Sequence, residues 1–107
     1  MIGPKPQGSF EKLIASLKET APLLTPGVRY RVVREFQDFD GDLHPQGEEW
    51  IFLGDNFYPH EEGLSLYVAT DDGTEWQIRM RWEVEDQGKI LESIGEYVVK
   101  VKKRRLG

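Results

Sequence analysis

The sequence contains no cysteine. That absence excludes disulfides, zinc–thiolate centres and thiol nucleophiles together. It also lacks any run of about 18 apolar residues, the length a helix needs to span a bilayer, so no membrane segment is expected. The opening "MIGPKPQG" has no apolar stretch of the kind a secretory leader carries. Without leader or disulfides, the expected compartment is the cytoplasm. Histidine is scarce: His44 and His60 are the only two. None of Ser9, Ser16, Ser65 and Ser93 stands in a GxSxG elbow, and no glycine-rich phosphate loop precedes a helix. No catalytic residue, metal ligand set or cofactor is therefore assigned, and the chain reads as non-enzymatic.

What is present is charge, unevenly spread. Net charge is −5 over 107 residues. Residues 100–105, "KVKKRR", carry five basic groups and no acid, which leaves 9 basic against 19 acidic residues elsewhere. Residues 38–62 hold eight acids (Asp38, Asp40, Asp42, Glu48, Glu49, Asp55, Glu61 and Glu62) and neither Lys nor Arg. An acidic body repels phosphates, so general nucleic-acid binding is disfavoured, while a basic protein partner or a cation is favoured.

The length sets one domain, and 38% hydrophobic residues suffice for one modest core. Residues 1–8, with two prolines and two glycines, are expected to be a poorly ordered N-terminus. A single globular domain follows over 9–99, and 100–107 form a basic C-terminal tail. Phe10, Leu13, Ile14 and Leu17 recur at helical spacing, with Ser9 placed to cap the helix and Pro22 to end it. "VRYRVVREF" (28–36) alternates as a half-buried strand does, with a break at Val33 and Arg34 that predicts a bend. "EWIFLGDNF" (49–57) is apolar on both faces from Trp50 to Leu53. "GLSLYVAT" and "TEWQIRMRWE" alternate on either side of "DDG", a hairpin signal. After Glu83 the period becomes helical, predicting a helix over about 86–99, with a final strand through "YVVKV" as the other reading. Four strands in series, their loop lengths and the flanking helices predict a mainly β (α+β) fold. It would be a small, SH3-like, strongly bent antiparallel sheet or partly open barrel with an N-terminal and a C-terminal helix.

The stretches "YRV" (30–32), "FQDFDGDLHPQGEEWIF" (36–52), "FYP" (57–59), "GL" (63–64) and the "KIL…I…Y" helix resemble an uncharacterised family of small bacterial domains of unknown function. The resemblance covers about residues 25–98. It implies a compact bacterial domain and brings no activity, substrate or site residue.

The stretch "DFDGDLHPQGEEW" (38–50) poses the sharpest question. Asp38, Asp40 and Asp42 alternate and Glu49 stands twelfth, as ligands do in an EF-hand calcium loop. That loop needs glycine at the sixth position to reverse the backbone. Here Leu43 stands there, Gly41 comes two residues earlier, and strands flank the segment. The stretch therefore reads as a turn-rich connection, with Asp40-Gly41 forming a turn and His44 and His60 facing solvent. Trp76 and Trp82, in line with Ile78 and Met80, read as core. Trp50, Phe57 and Tyr58 flank the acidic loops and read as surface aromatics. Arg29, Arg31, Arg79 and Arg81 on the opposite strand faces read as cross-strand ion pairs or as tethers for the acidic loop.

The leading expectation is a protein-binding module, for instance one that masks a basic protein as an immunity-type factor would. Its partner surface would comprise Asp38, Asp40, Asp42, Glu48, Glu49, Trp50, Phe57 and Tyr58. The alternatives are divalent-cation binding by the 38–49 loop and nucleic-acid contact through the basic tail.

Overall fold

The computed structural model describes residues 1–16, 23–58 and 63–102. Its strands are β1 (Ile2–Pro6), β2 (Arg29–Val32), β3 (Phe36–Gln37), β4 (Leu43–His44), β5 (Glu49–Tyr58), β6 (Gly63–Ala69), β7 (Thr74–Arg81) and β8 (Val98–Lys100). The helices are α1 (Glu11–Ser16) and α2 (Glu85–Glu92), with a 3-10 turn at Ile94–Glu96. Six strands form one antiparallel sheet in the order β1-β7-β6-β5-β2-β8, and β3 and β4 pair as a separate short hairpin. The sheet is mainly β architecture as expected, and it is not closed into a barrel: β1 and β8 are its two edges.

Alternation places the core. Leu64, Leu66 and Val68 of β6 stand opposite Met80, Ile78 and Trp76 of β7, and Phe52 of β5 stands opposite Val68. Tyr30 and Trp50 extend the same face across β2 and β5. Fully burying each such side chain contributes about 1.5–3 kcal/mol. Strand β6 is buried on its other face as well, where Tyr67 packs against Phe10 with ring centroids 4.7 Å apart. Helix α1 supplies that cover. Ile14 crosses β5 at Gly54, where a Cβ would come within 3.2 Å of the Ile14 side chain. Trp76 and Trp82 are partly buried and pack against the core.

Several expectations meet a different outcome. Residues 2–6, expected to be poorly ordered, form the edge strand β1 on β7. Gly3 permits this, because a Cβ there would stand 2.7 Å from the Trp76 ring. Ser9 does not cap α1: its hydroxyl donates back to the Pro6 carbonyl. The free N–H groups ahead of the helix go instead to the buried Glu75 of β7, which accepts from Gly8 at 2.8 Å and Phe10 at 3.1 Å. The predicted course of that helix past residue 16 lies outside the described residues.

The predicted helix over 86–99 is correct only in its first half. It stops at Glu92, the chain turns, and Val98–Lys100 become a strand beside β2. Val98 has to fill the core opposite Val32, which a continuing helix would carry away from the sheet. Gly88, which weakens a helix by propensity, is required by packing: a Cβ there would lie 2.7 Å from the Trp82 carbonyl oxygen. Gln87 completes the docking by accepting from the Arg81 N–H at 2.8 Å, where β7 ends. The break at Val33 and Arg34 does mark a bend, after which Phe36 leaves the main sheet for the small hairpin.

Candidate functional site

The acidic stretch folds as a short hairpin and turns inward. Gly41, at φ 86°, lets the chain reverse between β3 and β4. The Asp38 carboxylate accepts from the Asp42 N–H at 3.0 Å, and the Asp38 N–H donates to the Asp42 carbonyl at 3.0 Å. Phe39 docks the hairpin tip on β7: its N–H donates to the Arg79 carbonyl at 2.8 Å, and the Arg81 guanidinium lies 4.4 Å from its ring centroid. Arg79 forks onto Asp40, with Nε donating at 3.0 Å to Oδ2 and Nη2 to Oδ1. That pairing holds the Asp40 carboxyl at about 2, against the opposing effect of partial burial. One arginine of β7 thus does tether the acidic loop.

His44 is the centre of this region. It is fully buried, stacked on Phe36 at 4.8 Å between ring centroids. Nε2–H donates to Asp38 Oδ2 at 2.8 Å and Nδ1–H to Glu48 Oε2 at 2.6 Å. Burial alone would lower the His44 pKa. The hydrogen bonds and charges of Asp38 and Glu48 outweigh it and push the pKa up to about 9. His44 is therefore an imidazolium at neutral pH. The same balance holds Asp38 below the usual carboxylate range: its burial is outweighed by His44, the Asp42 N–H and the Met1 ammonium. Glu48 Oε2 also accepts from the Trp50 indole N–H at 3.1 Å.

The alternating aspartates do converge, on an ammonium group. The Met1 nitrogen lies 3.2 Å from Asp38 Oδ2, 3.0 Å from Asp40 Oδ2 and in contact with Asp42 Oδ2. Burial opposes the charge on this amine, yet the three carboxylates raise its pKa above the ordinary 8.0. Glu49, the twelfth residue of the calcium-like spacing, points elsewhere: on β5 it accepts from Arg31 at 2.9 Å, with Arg29 at 3.9 Å. Among the described residues no group of three or more His, Asp or Glu is disposed to hold a metal ion.

The expected partner surface is thus divided. Asp38 is buried, and Asp40, Asp42, Glu48 and Glu49 are each engaged by a cation of the chain itself. Trp50, expected at the surface, is 2% exposed, because its ring stands opposite Tyr30 in the core. His44, expected in solvent, is buried for the reason just given. Phe57 is 43% exposed, as expected of a surface aromatic. Tyr58 ends β5, and its side chain lies outside the described residues, as do His60 and the tail from 103 onward.

One concave feature adjoins this network and was not legible in the sequence. A cavity of about 230 Å³ is lined by Trp50, Trp76 and Val68 together with Met1, Glu48, Thr70 and Asp72. Trp76 is fixed by its indole N–H, which donates to Thr74 Oγ1 at 3.2 Å. Asp72 is fixed at the β6–β7 turn, accepting from the Thr70 hydroxyl at 2.5 Å and from the Thr74 N–H at 3.1 Å. These donors hold the Asp72 carboxyl below its usual range. Glu48 Oε1 carries no hydrogen bond among the described residues. The cavity therefore sets the part-buried Trp76 and the nearly covered Trp50 beside two carboxylates.

Comparison with known proteins adds lineage and no activity. No curated protein matches the chain. An integron cassette protein from the mobile metagenome of Vibrio cholerae, VCH_CASS4, has a solved structure similar to this one. It is 37% identical, with a TM-score of 0.69 over 73% of this chain and 86% of that one. The model of a domain of unknown function, DUF3601, matches residues 15–103. With most of its length matched, including the β3–β4 hairpin and every strand of the sheet except β1, the chain belongs to the DUF3601 family.

Proposed function

We propose that the chain is a non-enzymatic binding module of the bacterial cytoplasm that receives a basic side chain of a protein partner at the cavity beside Trp76. The cavity there carries the reading. Aromatic faces attract a cation through their quadrupole, by about 0.5–2 kcal/mol depending on desolvation. The Glu48 and Asp72 carboxylates supply the opposing charge and the hydrogen-bond acceptors. Acid–base chemistry finds less support: both ring nitrogens of the buried His44 are committed to carboxylates. The SH3-like comparison rests on the succession of strand and loop lengths, and it favours a binding role by analogy only. The bacterial setting follows the likeness to the Vibrio cassette protein. No helix among the described residues is long and apolar enough to cross a membrane.

The test is a titration with blocked tripeptides, glycine–X–glycine, where X is lysine, arginine or the uncharged norleucine. Indole N–H resonances of Trp50 and Trp76 are followed by NMR. The basic peptides are expected to shift them saturably at millimolar concentration, and Trp76→Ala to weaken binding about 3- to 30-fold. Equal shifts with norleucine, or linear shifts with all three, would remove the reading.

A further inference from the structure

We infer, resting on the cation site just proposed, that Glu48 couples the cavity to the buried His44, so that a cation held at the cavity and the proton on His44 work against each other. Of the two carboxylates lining the cavity, Glu48 and Asp72, only Glu48 also bonds His44. The backbone fixes where Glu48 stands. Its N–H donates to the Pro45 carbonyl at 3.1 Å, closing the turn that Gly47 makes at φ 98°, and its carbonyl accepts from the Val32 N–H at 2.8 Å. The carboxylate then serves two neighbours with one oxygen. Oε2 accepts from His44 Nδ1–H at 2.6 Å and from the Trp50 indole N–H at 3.1 Å, while Oε1 carries no hydrogen bond among the described residues. His44 is fully buried, whereas the Glu48 side chain is 25% exposed. Glu48 is thus the contact through which a charge in the cavity reaches the imidazolium.

One carboxylate charge then has two claimants. A cation drawn to Oε1 shares the charge that serves His44, and it stands one carboxylate away from the imidazolium as a like charge. Like charges that close, in a site shielded from water, disfavour the protonated ring. The other groups facing His44 do not offset this. Asp38 already bonds Nε2 at 2.8 Å, and its same oxygen lies 3.2 Å from the Met1 ammonium, which Asp40 and Asp42 also face. Phe36, stacked on the ring, carries no charge. A bound cation should therefore lower the pH at which His44 loses its proton. Linkage makes the effect mutual: the protein binds the cation more tightly once His44 is neutral, and by the same factor. Affinity thus rises as pH climbs through the His44 titration near 9. The Met1 amine also titrates above 8.0, and Met1 lines the cavity, so the measurement has to read His44 itself.

The His44 ring nitrogens are followed by long-range proton–nitrogen NMR across their titration, on the full chain alone and with saturating blocked glycine–arginine–glycine. Arginine is the probe because it keeps its charge throughout. The peptide is expected to lower the His44 midpoint by about 0.7 of a pH unit or more, the counterpart of a coupling of about fivefold or greater. The norleucine peptide should leave the midpoint where it is. His44→Gln, which removes the competing charge, should bind the arginine peptide about fivefold more tightly than wild type at neutral pH, read from the Trp76 indole resonance. Should that variant not fold, the wild-type titration decides alone. Saturable shifts at Trp76 with an unmoved or raised His44 midpoint would overturn the coupling and leave the cation site standing. An equal displacement by norleucine would overturn it as well. No saturable binding of the arginine peptide would remove the coupling and the cation site together.

Discussion

Replacing His44 with alanine is expected to destabilise the fold by about 3–5 kcal/mol, read as a lower midpoint in urea with an unchanged slope. The reason is what the substitution leaves behind. Asp38 is fully buried, and its Oδ2 would lose the Nε2–H donor at 2.8 Å. Glu48 would lose the Nδ1–H donor at 2.6 Å. Two carboxylates would then face each other across a cavity that His44 had filled, against Phe36, with the Met1 ammonium the nearest remaining cation. A buried charge stripped of its partner is far more damaging than the same pair is stabilising when intact. His44→Gln, which keeps volume and donates one hydrogen bond, should lose less. A loss under about 1 kcal/mol for alanine would mean that the hairpin does not depend on this pairing.

The second large effect is a loss of stability with rising pH. The folded pKa of His44, about 9, lies above its ordinary value of 6.5. Its contribution is then complete below pH 6.5, declines above it and is gone once pH passes about 9. A shift of that size corresponds to stabilisation on the order of 3 kcal/mol. The Met1 amine, also raised, loses its contribution in the same direction above pH 8.0. On the acid side Asp38 and Asp40 have depressed values. Their contribution is present above their ordinary 3.8 and disappears as pH falls, for Asp40 through about 2. Asp55, pushed up by burial despite the Leu23 N–H, opposes this weakly. Urea midpoints should therefore be highest between about pH 4 and 6.5 and fall steadily to pH 9.5. In His44→Gln the slope between pH 6.5 and 8 should flatten. A wild-type profile flat from pH 6 to 9.5 would contradict a buried imidazolium.

What could be read from the sequence was whatever depends on local period. The strands Arg29–Val32, Glu49–Tyr58, Gly63–Ala69 and Thr74–Arg81 announce themselves by their apolar pattern, and the turn at Asp71–Gly73 by residues tolerant of positive φ. The strand Val98–Lys100 was obscured because Ile90, Leu91 and Ile94 continue a helical spacing up to it. Only the need to fill the core beside Val32 decides for a strand. β1 was hidden because its prolines and glycine look like a loose terminus, whereas an edge strand tolerates both. In the acidic stretch, alternate aspartates looked like a surface. Two of their cations, Met1 and Arg79, come from far along the chain, and the third is a nearby histidine that the run of acids made look solvated. The one local signal was there to see: His44 stands six residues after Asp38 and four before Glu48, across a hairpin with apolar Phe36 beneath it. Electrostatic pairing between distant residues leaves no periodicity, so composition alone could place the charge and not its direction.

The most direct test of this account is the ring of His44 itself, observed by long-range proton–nitrogen NMR between pH 5 and 10.5. Both ring nitrogens should be protonated at pH 7.5, with their protons in slow exchange, and the ring should titrate near pH 9. A neutral His44 at pH 7.5, titrating near 6.5 as a solvent-exposed histidine does, would contradict it.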